Sequence, residues 1–533
     1  MRRSAGFKRL VLLAGLAFFV AVECGGRTAA TSQDPLTLRE SRGKQIYVKG
    51  VSPSGKEILA YVGESSLEVP GSSMPCANCH GLDGKGKPEG SITPSNLTWE
   101  ALTKPYGLTH ADGRKHPPYT ERGLELAITR GVDPAGNKLR GVMPRYSMSR
   151  DDLADLIVYL GRLGKDADPG ISESKVMIGT LVPTRGALAE MGQAVKAVTA
   201  AFFDELNGQG GIYNRRFELK VAETDATATR SDIERLLTGG QVFAMTGAVI
   251  AGSEREIFPL MAEKEVPLIG PFTLHPQTGF PLNRQVFYLL SGIEGQARTL
   301  AYFAAKKLAL KNPRMAVVSP QSEINAGVIE ALKEQSKKDG LGPVQDYNYT
   351  PGQFDITGTI KQLVQAGRDV VFFLGSGEEA LSFMREADKS AWFPNIFLLN
   401  PNGSAEVFGA PTGFNRKVFF AFPTSPADQT SEGVKEFRAL AEKYHLPAHH
   451  LAAQISAYSS AKVLAEAFRR AGKDVSREKL IQALEGLYEY PTGLTPVITY
   501  GVNRRIGAMG AYVVTIDLEQ KRFLPVGGWI NIN

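Results

Sequence analysis

The chain has 533 residues, which is too long for one hydrophobic core and predicts roughly three or four domain-sized units. Hydrophobic residues make up 43% and charged residues 22% of the chain, as in ordinary soluble globular proteins. The net charge of +6 is spread along the sequence without blocks of lysine or arginine, which argues against nucleic acid as a partner.

The N-terminus has the pattern of an export signal, and we expect residues 1–30 to be a signal peptide. A basic stretch at 2–9 precedes an apolar run at 10–22, which at 13 residues is short for a membrane span. Cys24 offers lipid anchoring as an alternative. Glu23, however, stands where a lipidation site has a small residue, so we favour ordinary cleavage and a periplasmic protein.

The next feature is the pentapeptide 76–80, Cys-Ala-Asn-Cys-His, a C-x-x-C-H haem-attachment signature. Cys76 and Cys79 can form thioethers to the vinyl groups of one porphyrin, and His80 then offers its imidazole to the iron as the proximal ligand. The alternatives are a redox dithiol or half of a zinc site. A zinc site needs four ligands, and Cys24 is the only other cysteine. The motif predicts one covalent haem c and a compartment outside the cytoplasm.

Met143 is the candidate distal ligand of the iron. A thioether raises the reduction potential, as suits an electron carrier, and Pro144 stiffens the loop that holds the sulfur. His110 and His116 are the alternative, a second histidine ligand. Because both lie in a proline-containing loop without such a context, we expect them to be exposed.

A helix is predicted at 151–163, directly after the Met143 loop. Ser149 and Asp152 have the spacing of a capping box. Leu153, Leu156, Ile157 and Leu160 follow at helical spacing.

Residues 37–164 resemble class I c-type cytochromes. The resemblance implies an all-α cytochrome c domain whose last helix crosses its first. The segment 48–75 is longer than the family usually has before its motif, and we expect an extra hairpin or a flap there. The matching parts are the first helix at 42–47, the haem site at 76–80, the distal loop at 143–144 and the last helix.

A polar linker is predicted at 165–174, and beyond it, over 175–533, apolar strands alternate with helices. This alternation predicts α/β architecture with parallel sheets in two lobes, whose ligands bind at the carboxyl ends of the strands. The predicted strands are 176–181, 217–221, 243–247, 267–269, 315–318, 370–374 and 395–399, and the predicted helices are 191–206, 324–338 and 454–471.

The same region contains many fragments that match one known family, although none of them is diagnostic alone: 178–186, 205–212, 258–269 and 349–355. Together they resemble type I periplasmic binding proteins of the branched-chain amino acid (Leu/Ile/Val) family. The resemblance implies two α/β lobes around a solute-binding cleft.

The binding residues depart from that family. Members that hold an α-amino acid use a Ser-Gly step, a Thr-containing pair and a carboxylate for the ammonium. Here no acid stands at the last place, and a buried ammonium without a counter-charge is strongly disfavoured. We therefore expect a small neutral or apolar solute, with an empty docking scaffold as the alternative. The candidate solute-binding residues are Thr184, Ala251, Gly252, Thr273, Leu274, Asn400 and Asn402.

Because no catalytic motif is apparent, we expect a non-catalytic protein that carries electrons to or from a periplasmic redox partner, such as a dehydrogenase or another cytochrome. One alternative is a solute receptor for an ABC permease with an accessory cytochrome. The other is a non-catalytic subunit of a periplasmic dehydrogenase.

Overall fold

The computed structural model of the chain describes residues 36–63, 65–86, 92–110, 113–165, 168–225, 227–277, 279–308, 313–399 and 406–532. The predicted signal peptide and Cys24 lie outside these ranges. Residues 36–533 form one compact unit. Within the described ranges, no helix combines the length and the apolar character that crossing a bilayer requires.

The N-terminal domain consists of helices joined by short strands. Its first helix begins after Thr37, which forms a capping box with Glu40, and ends at Gly50 in the left-handed conformation. Its last helix begins after Ser149, whose hydroxyl oxygen accepts from the backbone N–H of Asp152 at 3.2 Å, so Ser149 is the N-cap residue as predicted. The carboxylate of Asp152 accepts from the Ser149 hydroxyl at 2.6 Å and not from the Ser149 backbone N–H, so the predicted capping box is only half formed. The elements are α1 (Leu38–Lys49), β1 (Leu59–Val62), β2 (Leu67–Pro70), α2 (Cys76–His80), α3 (Trp99–Leu102), β3 (Leu108–Thr109), β4 (Lys115–His116), α4 (Glu121–Arg130), β5 (Arg145–Ser147) and α5 (Arg150–Leu160).

Helices α1 and α5 pack against each other at Gly43. A Cβ atom on Gly43 would lie 2.0 Å from the carbonyl oxygen of Asp155, so only glycine permits this approach. The carboxylate of Asp155 joins the helices, because it accepts hydrogen bonds from Nε of Arg39 at 2.7 Å and of Arg42 at 2.6 Å. Burial opposes the ionisation of Asp155, but the two arginines outweigh it and hold the pKa of this carboxyl below its usual value.

The long segment before the haem motif forms the predicted hairpin. Strands β1 and β2 are antiparallel, with Val62 opposite Leu67. On its other side β1 pairs with β5, with Tyr61 opposite Arg145. The domain therefore contains a three-stranded sheet that the resemblance to cytochromes does not imply.

The predicted linker, 165–174, is hydrogen-bonded to the following domain where the structure describes it. A carboxylate oxygen of Asp168 accepts from the backbone N–H of Arg477 at 2.6 Å. The carbonyl oxygen of Gly170 accepts from the N–H of Met177 at 2.7 Å. Polar linkers are commonly flexible, but these bonds fix the connection to the domain that it enters.

That domain has two lobes. Its first lobe contains the predicted strands at 176–181, 217–221, 243–247 and 267–269. The elements are β6 (Lys175–Pro183), α6 (Ala189–Gly208), β7 (Arg216–Thr224), α7 (Arg230–Gly240), β8 (Ala244–Thr246), α8 (Glu254–Glu263), β9 (Leu268–Ile269) and β10 (Val286–Leu290).

The second lobe follows with the same alternation of strand and helix. Its elements are α9 (Ile293–Lys306), β11 (Met315–Pro320), α10 (Glu323–Lys338), β12 (Val344–Tyr349), α11 (Ile356–Gln365), β13 (Val370–Phe373), α12 (Gly377–Lys389), β14 (Asn395–Leu398) and β15 (Val418–Phe422).

The chain then returns to the first lobe and ends in the second. The returning elements are α13 (Ser431–Lys443), α14 (Leu451–Ala471), α15 (Arg477–Glu485) and β16 (Ile506–Ala508), and the last strands are β17 (Gly510–Asp517), β18 (Arg522–Pro525) and β19 (Ile530–Asn531).

The first sheet has the order β16-β10-β9-β8-β6-β7 and is parallel throughout, as predicted. The second has the order β12-β11-β13-β14-β15-β17-β18, with β19 beside β17. Its first five strands are parallel, and the strands that end the chain add an antiparallel edge that the sequence did not predict.

Both faces of each sheet are buried, which explains the continuous apolar runs of the strands. In β11, Met315 and Val317 belong to one core cluster, and Ala316 and Val318 belong to another. Because successive side chains of a strand point to opposite faces, helices cover this sheet on both sides.

The chain crosses between the lobes at residues 291–292, 423–430 and 509. The hydroxyl of Ser291 donates to the carbonyl of Ala508 at 3.1 Å and accepts from the N–H of Gly510 at 2.7 Å. Ser291 therefore joins two of the three crossings side by side.

Candidate haem site and solute cleft

The haem-attachment motif forms the short helix α2. The helix begins after Pro75, whose backbone is extended, and ends at Gly81 with φ 75°. Residues three apart on a helix lie on one face, so this turn presents Cys76 and Cys79 together. Both are free thiols, as attachment of a porphyrin requires.

The environment of Cys76 argues against a redox dithiol. Desolvation by the surrounding protein raises the pKa of the Cys76 thiol to about 12. Reactive dithiols instead have a cysteine whose pKa is lowered, because the thiolate is the attacking form.

His80 is held in a form that can bind a metal ion. It is 7% exposed, and its Nδ1 lies 2.9 Å from the carbonyl oxygen of Ser95. An N–H at Nδ1 that donates to this carbonyl leaves the lone pair of Nε2 available to a metal. Burial lowers the pKa of His80, although the Ser95 carbonyl partly opposes it, so the ring is neutral and able to ligate.

Met143 lies in a loop that is fixed at both ends. Its backbone N–H donates to the carbonyl of Arg140 at 3.0 Å, and the carbonyl of Gly141 accepts from the N–H of Gly63 at 3.1 Å. Pro144 is buried, and β5 follows directly. The side chain of Met143 packs against the same core cluster as Cys76, whose other partly buried members include Met74 and Met148.

The two histidines of the loop contact each other, so the expectation that both are exposed is wrong. Because β3 and β4 pair with Leu108 opposite His116, the hairpin brings His110 and His116 together with their Nε2 atoms 2.9 Å apart. His116 is buried, and its Nδ1 lies 2.8 Å from the carbonyl oxygen of Pro117. Both ring nitrogens of His116 are therefore engaged, which leaves neither for iron.

The donor set fits a covalent haem. Two free thiols share one helical turn, a neutral imidazole has its Nε2 available, and a thioether packs against the same core. These are the groups that hold haem c with histidine and methionine as axial ligands.

On the first lobe, the candidate solute residues follow the carboxyl ends of three strands. Thr184 follows β6, and its hydroxyl donates to the carbonyl of Thr224 at 2.9 Å. Ala251 and Gly252 follow β8, and Thr273 and Leu274 follow β9, with Leu274 45% exposed. Asn400 and Asn402, on the second lobe, lie outside the described residues.

Glu254 is a residue of this edge that the sequence analysis missed. Its carboxylate accepts from the N–H of Gly252 at 2.9 Å and from the hydroxyl of Thr273 at 2.6 Å. It is the first residue of α8, where a carboxylate is favoured by the helix dipole.

Two family models match the chain. The model "Cytochrome c" matches residues 72–164, and the model "Periplasmic binding protein" matches residues 175–522.

Curated relatives are binding proteins. The Leu/Ile/Val-binding protein BraC3 of Rhizobium johnstonii is 24% identical over 341 residues, which cover 62% of this chain and 89% of that protein. An amino acid binding protein of Pseudomonas aeruginosa is 23% identical over 304 residues, which cover 56% of this chain and 79% of that protein.

Solved structures share the fold of the lobes. A branched chain amino acid ABC transporter protein from Thermus thermophilus with bound valine has a TM-score of 0.53 at 18% identity, covering 68% of this chain and 98% of its own. A fatty acid ABC transporter substrate-binding protein from Thermomonospora curvata has a TM-score of 0.52 at 16% identity, covering 69% and 95%. Identities this low establish the fold alone.

Proposed function

The chain belongs to the periplasmic binding protein family and carries a cytochrome c domain before the family region, and on this premise we propose that it is an exported electron carrier with a solute-binding cleft. The observation that carries the proposal is the donor set around His80, whose Nδ1 is bonded to the Ser95 carbonyl and whose Nε2 is free for iron.

We assign one haem c to the N-terminal domain, residues 37–164. Cys76 and Cys79 would hold the porphyrin covalently, and His80 and Met143 would ligate the iron from opposite sides. When bound, the haem supplies one-electron transfer at a potential that the methionine sulfur raises. With both His80 and Met143 as its ligands, the iron would serve electron transfer, which supports a carrier without catalysis.

Export accounts for the compartment. Residues 1–30 have the composition of a signal peptide, and haem c attachment and the binding-protein family both agree with a periplasmic location. Lipid anchoring through Cys24 remains the disfavoured alternative, because Glu23 precedes it.

The cleft suits a small neutral solute, bound by lobes spanning 175–533. On the first lobe the hydroxyl of Thr184 is satisfied inside the protein, and the apolar side chain of Leu274 is exposed at the strand ends. The exposed leucine supports apolar contact with the solute. The alternative, a cleft that only docks a protein, predicts no solute binding.

The partner we propose is a periplasmic redox protein such as a dehydrogenase or another cytochrome. The chain could also be a non-catalytic subunit of a dehydrogenase. This role differs from that of a carrier only in that the complex with the dehydrogenase is permanent. A second candidate function, favoured by the ABC-transporter proteins among similar structures, is a solute receptor for an ABC permease with an accessory cytochrome.

Absorption spectroscopy of the exported protein tests the haem assignment. The oxidised protein should show the methionine-to-iron charge-transfer band in the red. Met143→Ala should abolish this band, whereas Met148→Ala, on a neighbouring loop residue, should retain it. A wild-type spectrum without the band contradicts the Met143 assignment.

Potentiometry distinguishes the two functions. Reduction of the haem by a purified periplasmic dehydrogenase, and a potential that shifts when solute is added, support the electron carrier. Solute-dependent lobe closure in solution scattering, without any change of potential and without reduction by the dehydrogenase, supports the transport receptor instead.

A further inference from the structure

The carboxylate of Glu254 fills the edge of the first lobe at which a solute is expected. Strands β8 and β9 are neighbours, with Thr246 opposite Ile269, and Glu254 bridges the loops that follow them. One of its oxygens accepts from the N–H of Gly252 at 2.9 Å, and the other accepts from the hydroxyl of Thr273 at 2.6 Å.

The N–H of Gly252 and the hydroxyl of Thr273 form a pair of donors that can bind a carboxylate. A backbone N–H and a hydroxyl that converge on two oxygens make charge-assisted hydrogen bonds, and ligands of parallel sheets bind at the carboxyl ends of the strands. Gly252 has φ +88°, a conformation that glycine adopts without strain and that sets the direction of this loop.

The donors at this edge are already used. The single proton of the Thr273 hydroxyl goes to Glu254, and the oxygen of that hydroxyl accepts from the N–H of His275 at 2.9 Å. The hydroxyl of Thr184 donates to the carbonyl of Thr224 at 2.9 Å. A solute carboxylate arriving here would find its donors occupied by another carboxylate.

The charge of Glu254 is also uncompensated. In the part of the chain that the structure describes, no lysine or arginine lies within ion-pair distance of it. The adjacent Arg255 turns instead to Glu323 on the second lobe. An anionic head group placed at this edge would therefore face a like charge at close range and would be repelled.

We propose that Glu254 is the specificity-determining residue of the cleft, excluding solutes with a free carboxylate and selecting a small aliphatic solute whose uncharged head group donates a hydrogen bond to it. This rests on the proposed solute-binding function and names its ligand class. A carboxylate has about four lone-pair sites; two are taken by Gly252 and Thr273, so Glu254 can accept from a bound amide or alcohol. Leu274, which follows Thr273 in the chain and is exposed, offers apolar contact to the aliphatic part.

Calorimetric titration of the haem-loaded protein with two probes of one skeleton tests the proposal: 3-methylbutanamide, which is neutral, and 3-methylbutanoate, its carboxylate. The wild type should bind the amide about tenfold or more tightly than the acid, because only the amide can donate to Glu254. Glu254→Ala should bind the acid about tenfold or more tightly than the wild type does, because it frees two donors and removes the charge.

Glu256→Ala is the matched control. Glu256 lies two residues further on the same helix and accepts from the N–H of Arg230 at 3.2 Å, away from Gly252 and Thr273, so this variant should bind both probes as the wild type does. Glu254→Gln keeps the size of the side chain and removes its charge. It carries the test if Glu254→Ala does not fold, and it too should gain affinity for the acid.

Equal binding of acid and amide by the wild type overturns the inference while leaving a solute-binding cleft in place. The inference is also overturned if Glu254→Ala and Glu254→Gln bind 3-methylbutanoate no more tightly than the wild type does. The case in which no variant binds either probe counts as this outcome. The electron-carrying function is decided separately, by the spectrum and the potential of the haem.

Discussion

The hydroxyl of Tyr146 donates a hydrogen bond of 2.6 Å to the backbone carbonyl of Met74. Tyr146 follows the Met143 loop and Met74 precedes Cys76, so one bond joins the two segments that would hold opposite sides of a haem. Burial raises the pKa of Tyr146, so the phenol keeps its proton and remains a donor.

Tyr146→Phe should weaken the Met143 loop. The substitution leaves the Met74 carbonyl without its partner, which costs about 1 kcal/mol of unfolding free energy. We expect the methionine-to-iron band of the oxidised protein to disappear at a lower temperature than in the wild type. Tyr106→Phe, at a ring that is 86% exposed in the same domain, should behave as the wild type. Equal loss temperatures for all three proteins would contradict the role of this bond.

Gly43→Ala should destabilise the haem domain by about 1–3 kcal/mol, because the new methyl group would force helices α1 and α5 apart. Thermal unfolding monitored by haem absorbance reports on this domain alone. The control is Gly208→Ala, because Gly208 is a helical glycine with open space where a Cβ atom would stand. This variant should unfold at the wild-type temperature when followed by haem absorbance. A Gly43→Ala protein that melts with the wild type would show that the helices can separate without cost.

Acid should weaken the same helix contact through Asp155. Its pKa is depressed in the folded protein, so its contribution is present above the unfolded pKa of about 3.9 and is lost as the pH falls through the lower, folded value. Asp155→Asn should therefore melt below the wild type at neutral pH, with the two curves converging below about pH 4. The exposed Asp151, changed to Asn, should show a much smaller gap. A gap for Asp155→Asn that persists unchanged in acid would exclude the charge as its cause.

Ser291→Ala should loosen the connection between the lobes. The change leaves the buried N–H of Gly510 without an acceptor, at a cost of about 1–3 kcal/mol, and separates two crossings that the hydroxyl now joins. Solution scattering should show a broader range of lobe separations than in the wild type. Ser459→Ala is the control, because that buried hydroxyl has no hydrogen-bond partner among the described residues. If Ser291→Ala scattered identically to Ser459→Ala, the role of the Ser291 hydroxyl in joining the two crossings would be contradicted.

Local chemistry is what the sequence could reveal. Cys76, Cys79 and His80 lie on one helical turn, and the Ser149 cap depends on a residue three positions away, so both followed from spacing. The hairpin before the haem motif was predicted from its length alone.

Contacts between distant segments were not accessible in the same way. Nothing in the local sequence of Tyr61 indicates that it faces Arg145, and the burial of His116 depends on its pairing with Leu108 across a hairpin. Glu254 was missed because nothing in its local sequence indicates a contact with the loop after the next strand. Its contact with Thr273 requires two loops to converge at a sheet edge.

Arg477 binds the segment that connects the haem domain to the first lobe, because its backbone N–H donates to Asp168 at 2.6 Å. The side chain of Arg477 also donates to the carbonyl oxygens of Val242, at 2.8 Å, and Phe243, at 3.0 Å, and an ion pair of 2.7 Å between Lys49 and Glu265 adds a second attachment. The haem domain would therefore keep a fixed position relative to the first lobe. A redox protein docked on that lobe alone would exchange electrons at one rate whether the cleft is open or closed. For a redox protein that contacts both lobes, the rate of electron exchange would change when solute closes the cleft.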